Sequence, residues 1–337
     1  MASEIAETGP ILARQLASNA PATAMIATLL RKRDPRLVAT IARGSSDHAA
    51  LYLKYLIEIA LGIPCASIGP SIASLYDAPL RLEGALAITI SQSGRSPDIV
   101  ALQDAASRAG ALTLALVNDV DSAVAHGAQC LLPLHAGAEK SVAATKSMIA
   151  ALVAGAALIG QWVGDEKLNA AIAALPALLS EPSPPPPRAL VDLVVGAKSA
   201  FVLGRGSTFA IAAEAALKLK ETCAIHAEAF SSAEVLHGPA GVITPGFLII
   251  AFMPADAARE GMSATLARLA AMGANVVVVD AASSPAKSAL VVPPAGHPLL
   301  TPIVMLHRFY GIVEASAIAL GRDPDNPPHL RKVTETT

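Results

Sequence analysis

The chain has 337 residues, of which 53% are hydrophobic, 15% charged and 3% aromatic, and 25 Lys and Arg stand against 27 Asp and Glu for a net charge of −2. That much apolar content offsets the entropy of ordering and excludes intrinsic disorder. The near-neutral balance excludes the basic excess that a nucleic-acid or acidic-membrane partner requires, although a small anion needs only a local site.

A chain of this length fits two domains, each large enough for its own core. Cys65, Cys130 and Cys223 are too few and too scattered for a disulfide framework or a zinc site. The first residues, Met1-Ala-Ser-Glu-Ile-Ala-Glu7, lack the basic start and apolar run of a signal peptide. The longest apolar run, 148–160, stops at Gln161, short of the ~20 residues of a bilayer span. A cytoplasmic chain without a membrane partner is the expectation.

In chain order, a helix is predicted over 10–31, followed by short apolar runs at 37–42, 85–90, 112–117 and 130–134. Gly, Ser, Pro or Asp bounds each run, as in buried parallel strands, and helical stretches such as 48–61 and 98–109 lie between them. That alternation indicates an α/β fold with an open parallel sheet and helices on both faces. The run Glu181-Pro-Ser-Pro-Pro-Pro-Pro187 favours extended geometry and reads as a linker or crossover. Beyond it the rhythm restarts at 200–203, 247–252, 275–279 and 289–292. Thr40-Ile-Ala-Arg-Gly-Ser-Ser46 and Phe201-Val-Leu-Gly-Arg-Gly-Ser207 open the two halves with the same strand–Gly–Ser–helix pattern, which suggests duplication.

The apolar run at 85–90 leads directly into Ser91-Gln-Ser-Gly-Arg-Ser-Pro-Asp98. Ser96 suits an N-cap and Pro97 the first helical position, so an ordinary capped turn is one reading. The other is an anion site, because free N–H groups, the helix dipole and uncharged hydroxyl donors converge there. Ser91, Gln92, Ser93 and Ser96 together favour phosphate, and Ser45 and Ser46 at the neighbouring strand close the cradle. No Gly-x-x-x-x-Gly-Lys-Ser/Thr loop is present.

The helix after Gly206 carries Glu214, Lys218 and Glu221 within an arc of about 60°. Two readings stay open for this stripe: a solvated face laced by ion pairs, or a proton-transfer group beside His226-Ala-Glu228 and His237. The tail from Asp323 to Thr334, with Arg331 and Lys332, is either frayed or an arm that reaches into a site.

Seven stretches together resemble the sugar isomerase (SIS) family: Ser91-Gln-Ser-Gly94, Val142-Ala-Ala-Thr-Lys146, Leu203-Gly-Arg-Gly206, Ala216-Leu-Lys-Leu-Lys-Glu221, Ile225-His-Ala-Glu-Ala229, Glu234-Val-Leu-His-Gly-Pro239 and Leu330-Arg-Lys-Val-Thr334. The resemblance is to a tandem pair, as in the isomerase half of glucosamine-6-phosphate synthases and in stand-alone SIS-type deaminases. It implies two flavodoxin-like domains, each a five-stranded parallel sheet flanked by helices, and no metal or organic cofactor. The implied division is a helical segment at 1–33, a first SIS domain at 34–180, a linker at 181–190, a second SIS domain at 191–325 and an active-site tail at 326–337.

By the same resemblance, Ser45, Ser46, Ser91, Gln92, Ser93 and Ser96 hold a 6-phosphate, and Val142 and Ala144 lie against the sugar. Glu221 moves the proton between C1 and C2, and His237, shared across a homodimer, opens the ring. Lys332 meets the C2 carbonyl, Lys218 is a cation near the open-chain substrate, and Glu214 supports them. The chain departs from the synthase pattern at Ala144, Ser45 and Arg331, where the synthases carry Ser, Thr and Ala. It also begins at the isomerase part, without a Cys near its start. The implied function is deamination of D-glucosamine 6-phosphate to D-fructose 6-phosphate and ammonia. The alternatives are a fructosamine-6-phosphate deglycase, an ammonia-dependent synthase or isomerase, and a non-catalytic sugar-phosphate sensor.

Overall fold

In the computed structural model the described residues are 1–281 and 288–332. Their contacts separate into two compact units. Residues 7–139 and 146–177, with Arg331 and Lys332, form the first; residues 1–6, 140–145 and 178–330 form the second.

The first unit opens with the helix Thr8–Arg33, two residues longer at each end than its sequence pattern suggests. Pro10 falls in the first turn, where a missing N–H costs nothing. Five strands follow: β1 (Val38–Ile41), β2 (Cys65–Ser67), β3 (Leu86–Ser91), β4 (Leu112–Val117) and β5 (Cys130–Pro133). They pair in parallel in the order β2-β1-β3-β4-β5. β1 and β3 are buried at every position, which is why they read as unbroken apolar runs.

The second unit repeats the arrangement with β6 (Ser199–Gly204), β7 (His226–Ser231), β8 (Leu248–Phe252), β9 (Asn275–Asp280) and β10 (Ala289–Val291). Its parallel order, β10-β9-β8-β6-β7, is the first order read from the opposite edge. The fold is thus α/β with two flavodoxin-like five-stranded parallel sheets flanked by helices, as the resemblance implies. Chain direction reverses between β1 and β3, and again between β6 and β8. At such switch points the loops diverge and leave a crevice at the strands' carboxyl ends.

Each unit has its own apolar core. In the first, Ile41, Ala87, Val117, Ile99 and Leu102 pack together between sheet and helix. In the second, Phe201, Leu203, Ile249, Met262 and Leu269 do the same, and Phe201 meets Phe230 and Phe247 edge-on at 5.0 and 4.8 Å.

The helix Lys146–Val163 is long and apolar enough to cross a membrane by length and composition, but 83% of it is buried inside the protein. It packs on the helix Ser45–Leu61, where a Cβ on Gly155 would stand 3.1 Å from Leu53 Cδ1. Residues 182–187 carry neither helix nor strand, in keeping with the extended geometry expected of the proline run.

Candidate active site

Ser45 and Ser46 open the helix Ser45–Leu61 directly after β1, and Ser91 to Ser96 connect β3 to the helix Pro97–Arg108. Because β1 and β3 are hydrogen-bonded neighbours, both groups lie at one switch point, beside two helix N-termini. Ser45, Ser46, Gln92, Ser93 and Ser96 are half-buried and Ser91 is buried. The Ser91 hydroxyl accepts the Gly94 N–H at 2.9 Å and fixes the turn, while keeping its own proton to donate. Ser96 occupies the N-cap position, yet its side chain makes no capping bond.

Two glycines shape this loop for different reasons. Gly94 has φ +62°, and a Cβ there would lie 2.1 Å from Ser122 Oγ and 2.8 Å from Val117 Cγ2. Gly44 has φ 57° and ψ −133°, a region closed to side chains, although the space around it is open. Arg43 reaches from the β1 exit to the buried Asp98 carboxylate, which also accepts the Ile99 N–H at 2.9 Å. Sequence reasoning gave Arg43 no role; its recurrence as Arg205 in the second repeat was the available signal.

The corresponding loop in the second unit is sealed. Gly206 repeats the Gly44 conformation at φ 59° and ψ −135°. Thr208, however, folds back: its hydroxyl accepts the Arg205 N–H and donates to the Arg205 carbonyl, each at 2.9 Å. Ser207 and Thr208 are 2% and 1% exposed. Gly204, where the first unit has Ala42, allows the close approach, since a Cβ there would meet the Thr208 carbonyl oxygen at 2.4 Å. Duplication has left one open cradle and one closed loop.

In the second unit, Glu214, Lys218 and Glu221 project from the helix Ser207–Cys223 as the predicted stripe. They are not a solvated face. Lys218 and Glu214 side chains are 1% and 0% exposed, and Glu221 is 23% exposed. Lys218 Nζ lies 2.5 Å from Glu221 Oε2 and 3.4 Å from Glu214 Oε1, and the Tyr310 hydroxyl donates to Glu214 Oε1 at 3.4 Å. Burial alone would depress the Lys218 ammonium, but the two carboxylates outweigh it and raise its pKa. Only Glu221 offers surface to a substrate.

His237 follows a short 3₁₀ turn, Glu234–Leu236, after β7 and is exposed. No hydrogen bond joins it to the stripe among the described residues. Lys332 lies in the first unit, where its ammonium contacts Glu139 Oε2 at 3.2 Å. Glu139 is buried and also accepts the Ser147 N–H at 3.1 Å and the Ser147 hydroxyl at 2.6 Å. Sequence reasoning missed Glu139, whose partner stands 193 residues away. Val142 and Ala144 are half-buried in the loop Lys140–Thr145 of the second unit. Among the described residues no cluster of His, Cys, Asp and Glu is arranged to hold a metal ion.

The SIS domain profile matches residues 30–160 and 193–293. Glutamine–fructose-6-phosphate aminotransferase (isomerizing) of Symbiobacterium thermophilum is 34% identical over 316 residues, covering 88% of this chain and 51% of that protein. The chain thus spans about half the length of the curated relatives it matches. Among solved structures, a protein of Silicibacter pomeroyi DSS-3 provisionally named a phosphosugar isomerase superposes with TM-score 0.91 at 44% identity, covering 96% of this chain and 98% of that one. The C-terminal domain of glucosamine-fructose-6-phosphate aminotransferase from Francisella tularensis superposes with TM-score 0.82 at 25% identity, covering 97% of each chain. The chain belongs to the SIS domain family and carries two copies of that domain.

Proposed function

We propose that this protein deaminates D-glucosamine 6-phosphate to D-fructose 6-phosphate and ammonia. The observation that carries the reading is the burial of Lys218 and Glu214 behind a partly open Glu221, a carboxylate held from beneath and presented to a substrate. Lys218 occupies Glu221 Oε2 and leaves Oε1 for chemistry. The cradle of Ser45, Ser46, Ser91, Gln92, Ser93 and Ser96 takes the 6-phosphate, and Val142 and Ala144 line the sugar. Binding energy gathered there, remote from the reacting carbons, positions C1 and C2.

His237 moves the proton that opens the pyranose. Glu221 then takes the C2 proton and returns it at C1, turning the 2-amino aldehyde through an enolamine into a ketimine. Lys332 meets the C2 carbonyl of the ketose. Water adds to the ketimine carbon and ammonia departs, so that one water is consumed for each ammonia released. The exposure of His237 suits its supply to a second copy in a homodimer, in which case dilution below the dimer constant abolishes turnover.

The same proton transfer run with free ammonia is the synthase reading, which the aminotransferase relatives favour. The two directions differ in mass action, not in residues. One assay separates the readings: the purified protein with glucosamine 6-phosphate, scored for ammonia and fructose 6-phosphate. Release of both supports deamination, and Glu221→Gln should lower turnover by at least about 10²-fold. No release from glucosamine 6-phosphate, with release from a fructosamine 6-phosphate adduct, assigns the deglycase instead. Binding of both esters without turnover assigns the sensor.

A further inference from the structure

Resting on the sugar-phosphate reading above, we propose that Glu4 and Asp325 are positioning residues that hold the loop Lys140–Thr145 in the shape that presents Val142 and Ala144 to the substrate. The loop has no helix or strand of its own, so its backbone donors need partners from elsewhere. Two acidic residues of the second unit supply them. Glu4, 4% exposed on the helix Ala2–Ala6, accepts the Lys140 N–H at 2.5 Å and the Ser141 N–H at 3.2 Å through one oxygen, Oε1. The Asp325 carbonyl accepts the Val142 N–H at 3.0 Å, and its Oδ1 accepts the Ser141 hydroxyl at 2.6 Å. That hydroxyl in turn accepts the Met1 amino group at 2.8 Å. Three consecutive amides are therefore tied by two acidic residues far away in sequence.

The clamp has a directional result. Ser141, Ala143 and Thr145 are 2%, 1% and 1% exposed, whereas Val142 and Ala144 between them are half-buried. The backbone bends through 141–143, and within it Val142 and Ala144 are the positions that keep an open side. Fixing the amides of 140–142 fixes which face Val142 and Ala144 occupy. Neither Glu4 nor Asp325 needs to touch the sugar. Their effect passes through the loop.

Amide hydrogen exchange and steady-state kinetics on the full chain test this with Glu4→Leu and Glu4→Gln. Leucine removes the acceptor, while glutamine keeps an oxygen at the same reach. Glu4→Leu should speed exchange across 140–142 and raise KM for glucosamine 6-phosphate about tenfold, with kcat within about twofold, as loss of a buried acceptor implies. Glu4→Gln should restore both. Unchanged exchange in Glu4→Leu overturns the clamp, and faster exchange with unchanged KM overturns its link to substrate. Should Glu4→Leu not fold, Ser141→Ala removes the hydroxyl that joins the loop to Asp325 and to the Met1 amino group while leaving its amides in place; a KM rise of about threefold supports the proposal and none overturns it. A wild-type protein inactive on every sugar phosphate sinks the functional reading and the substrate half of this one, while the exchange measurement still decides the clamp.

Discussion

Lys218 Nζ stands 2.5 Å from Glu221 Oε2 with the lysine side chain 1% exposed, so a full ammonium is enclosed by its own helix and two carboxylates. Such a charge persists inside a protein only because its partners repay its desolvation. Removing one partner leaves the others uncompensated.

Lys218→Met should therefore destabilise the second unit by about 3–5 kcal/mol, the range for breaking a buried pair from one side. Urea unfolding followed by fluorescence of a probe in that unit measures it. Glu221→Gln, at the exposed end, should cost far less stability while removing turnover. If Lys218→Met unfolds at the wild-type midpoint, the triad is not the buried ion cluster its geometry describes.

Gly44 and Gly94 separate backbone strain from steric collision within one loop system. Gly44→Ala places a Cβ in open space at a forbidden φ, and should cost about 1–3 kcal/mol with the cradle otherwise intact. Gly94→Ala adds a collision with Ser122 Oγ at 2.1 Å to a positive φ. The Gly94 carbonyl also accepts the Val124 N–H at 3.1 Å, so displacing the loop disturbs the next helix as well. Titration calorimetry with glucosamine 6-phosphate should show binding weakened severalfold in Gly44→Ala and lost in Gly94→Ala. Equal affinities would mean the loop does not shape the anion site.

The closed loop of the second unit supplies a control. Thr208→Ala deletes a hydroxyl that serves both the Arg205 N–H and the Arg205 carbonyl. The loss should be about 1–2 kcal/mol of stability, as for other helix-terminal hydroxyls, with KM for the phosphorylated substrate unchanged. Ser46→Ala, its counterpart in the open cradle, should do the reverse: little change in stability and a severalfold higher KM. Identical effects of the two substitutions on KM would remove the asymmetry on which the placement of the phosphate rests.

Eight of the ten strands among the described residues read directly from apolar runs, most plainly β1, β3, β4 and β8, which are buried on both faces. The two missed strands are the ones beside β1 and β6 at the sheet edges. β2 has three residues, two of them exposed, and β7 reads His-Ala-Glu-Ala-Phe-Ser, with His226 and Glu228 exposed. Neither carries enough apolar sequence to register as a strand. The cradle was legible because its residues are contiguous and stand at a strand–helix junction. The stripe Glu214–Lys218–Glu221 was legible as a stripe but not as a buried one, since helical spacing fixes a shared face without saying what covers it. Arg43 and Glu4 escaped notice because their partners lie 55 and 136 residues away, and Glu139 because the cation it holds, Lys332, lies 193 residues away.

His307 gives the protein a pH signature independent of its chemistry. It is 2% exposed on the helix Thr301–Ala319, and its Nε2–H donates to the Ile5 carbonyl at 3.1 Å, while its buried Nδ1 has no partner among the described residues. Burial, with a smaller contribution from Arg308, pushes the imidazole down to about 4, against a partial opposing effect of the Ile5 bond. The folded pKa thus lies below the unfolded one, so the unfolded chain takes up the proton first. Stability from this group is fully present above pH 6.5 and is lost as pH falls from 6.5 toward 4, to a total of about 3 kcal/mol. His307→Gln retains a donor for Ile5 but cannot titrate. Urea midpoints measured between pH 4 and 7.5 should converge for the two proteins at the acid end and separate above pH 6. Parallel curves across that interval would show that His307 ionises equally in the folded and unfolded chains.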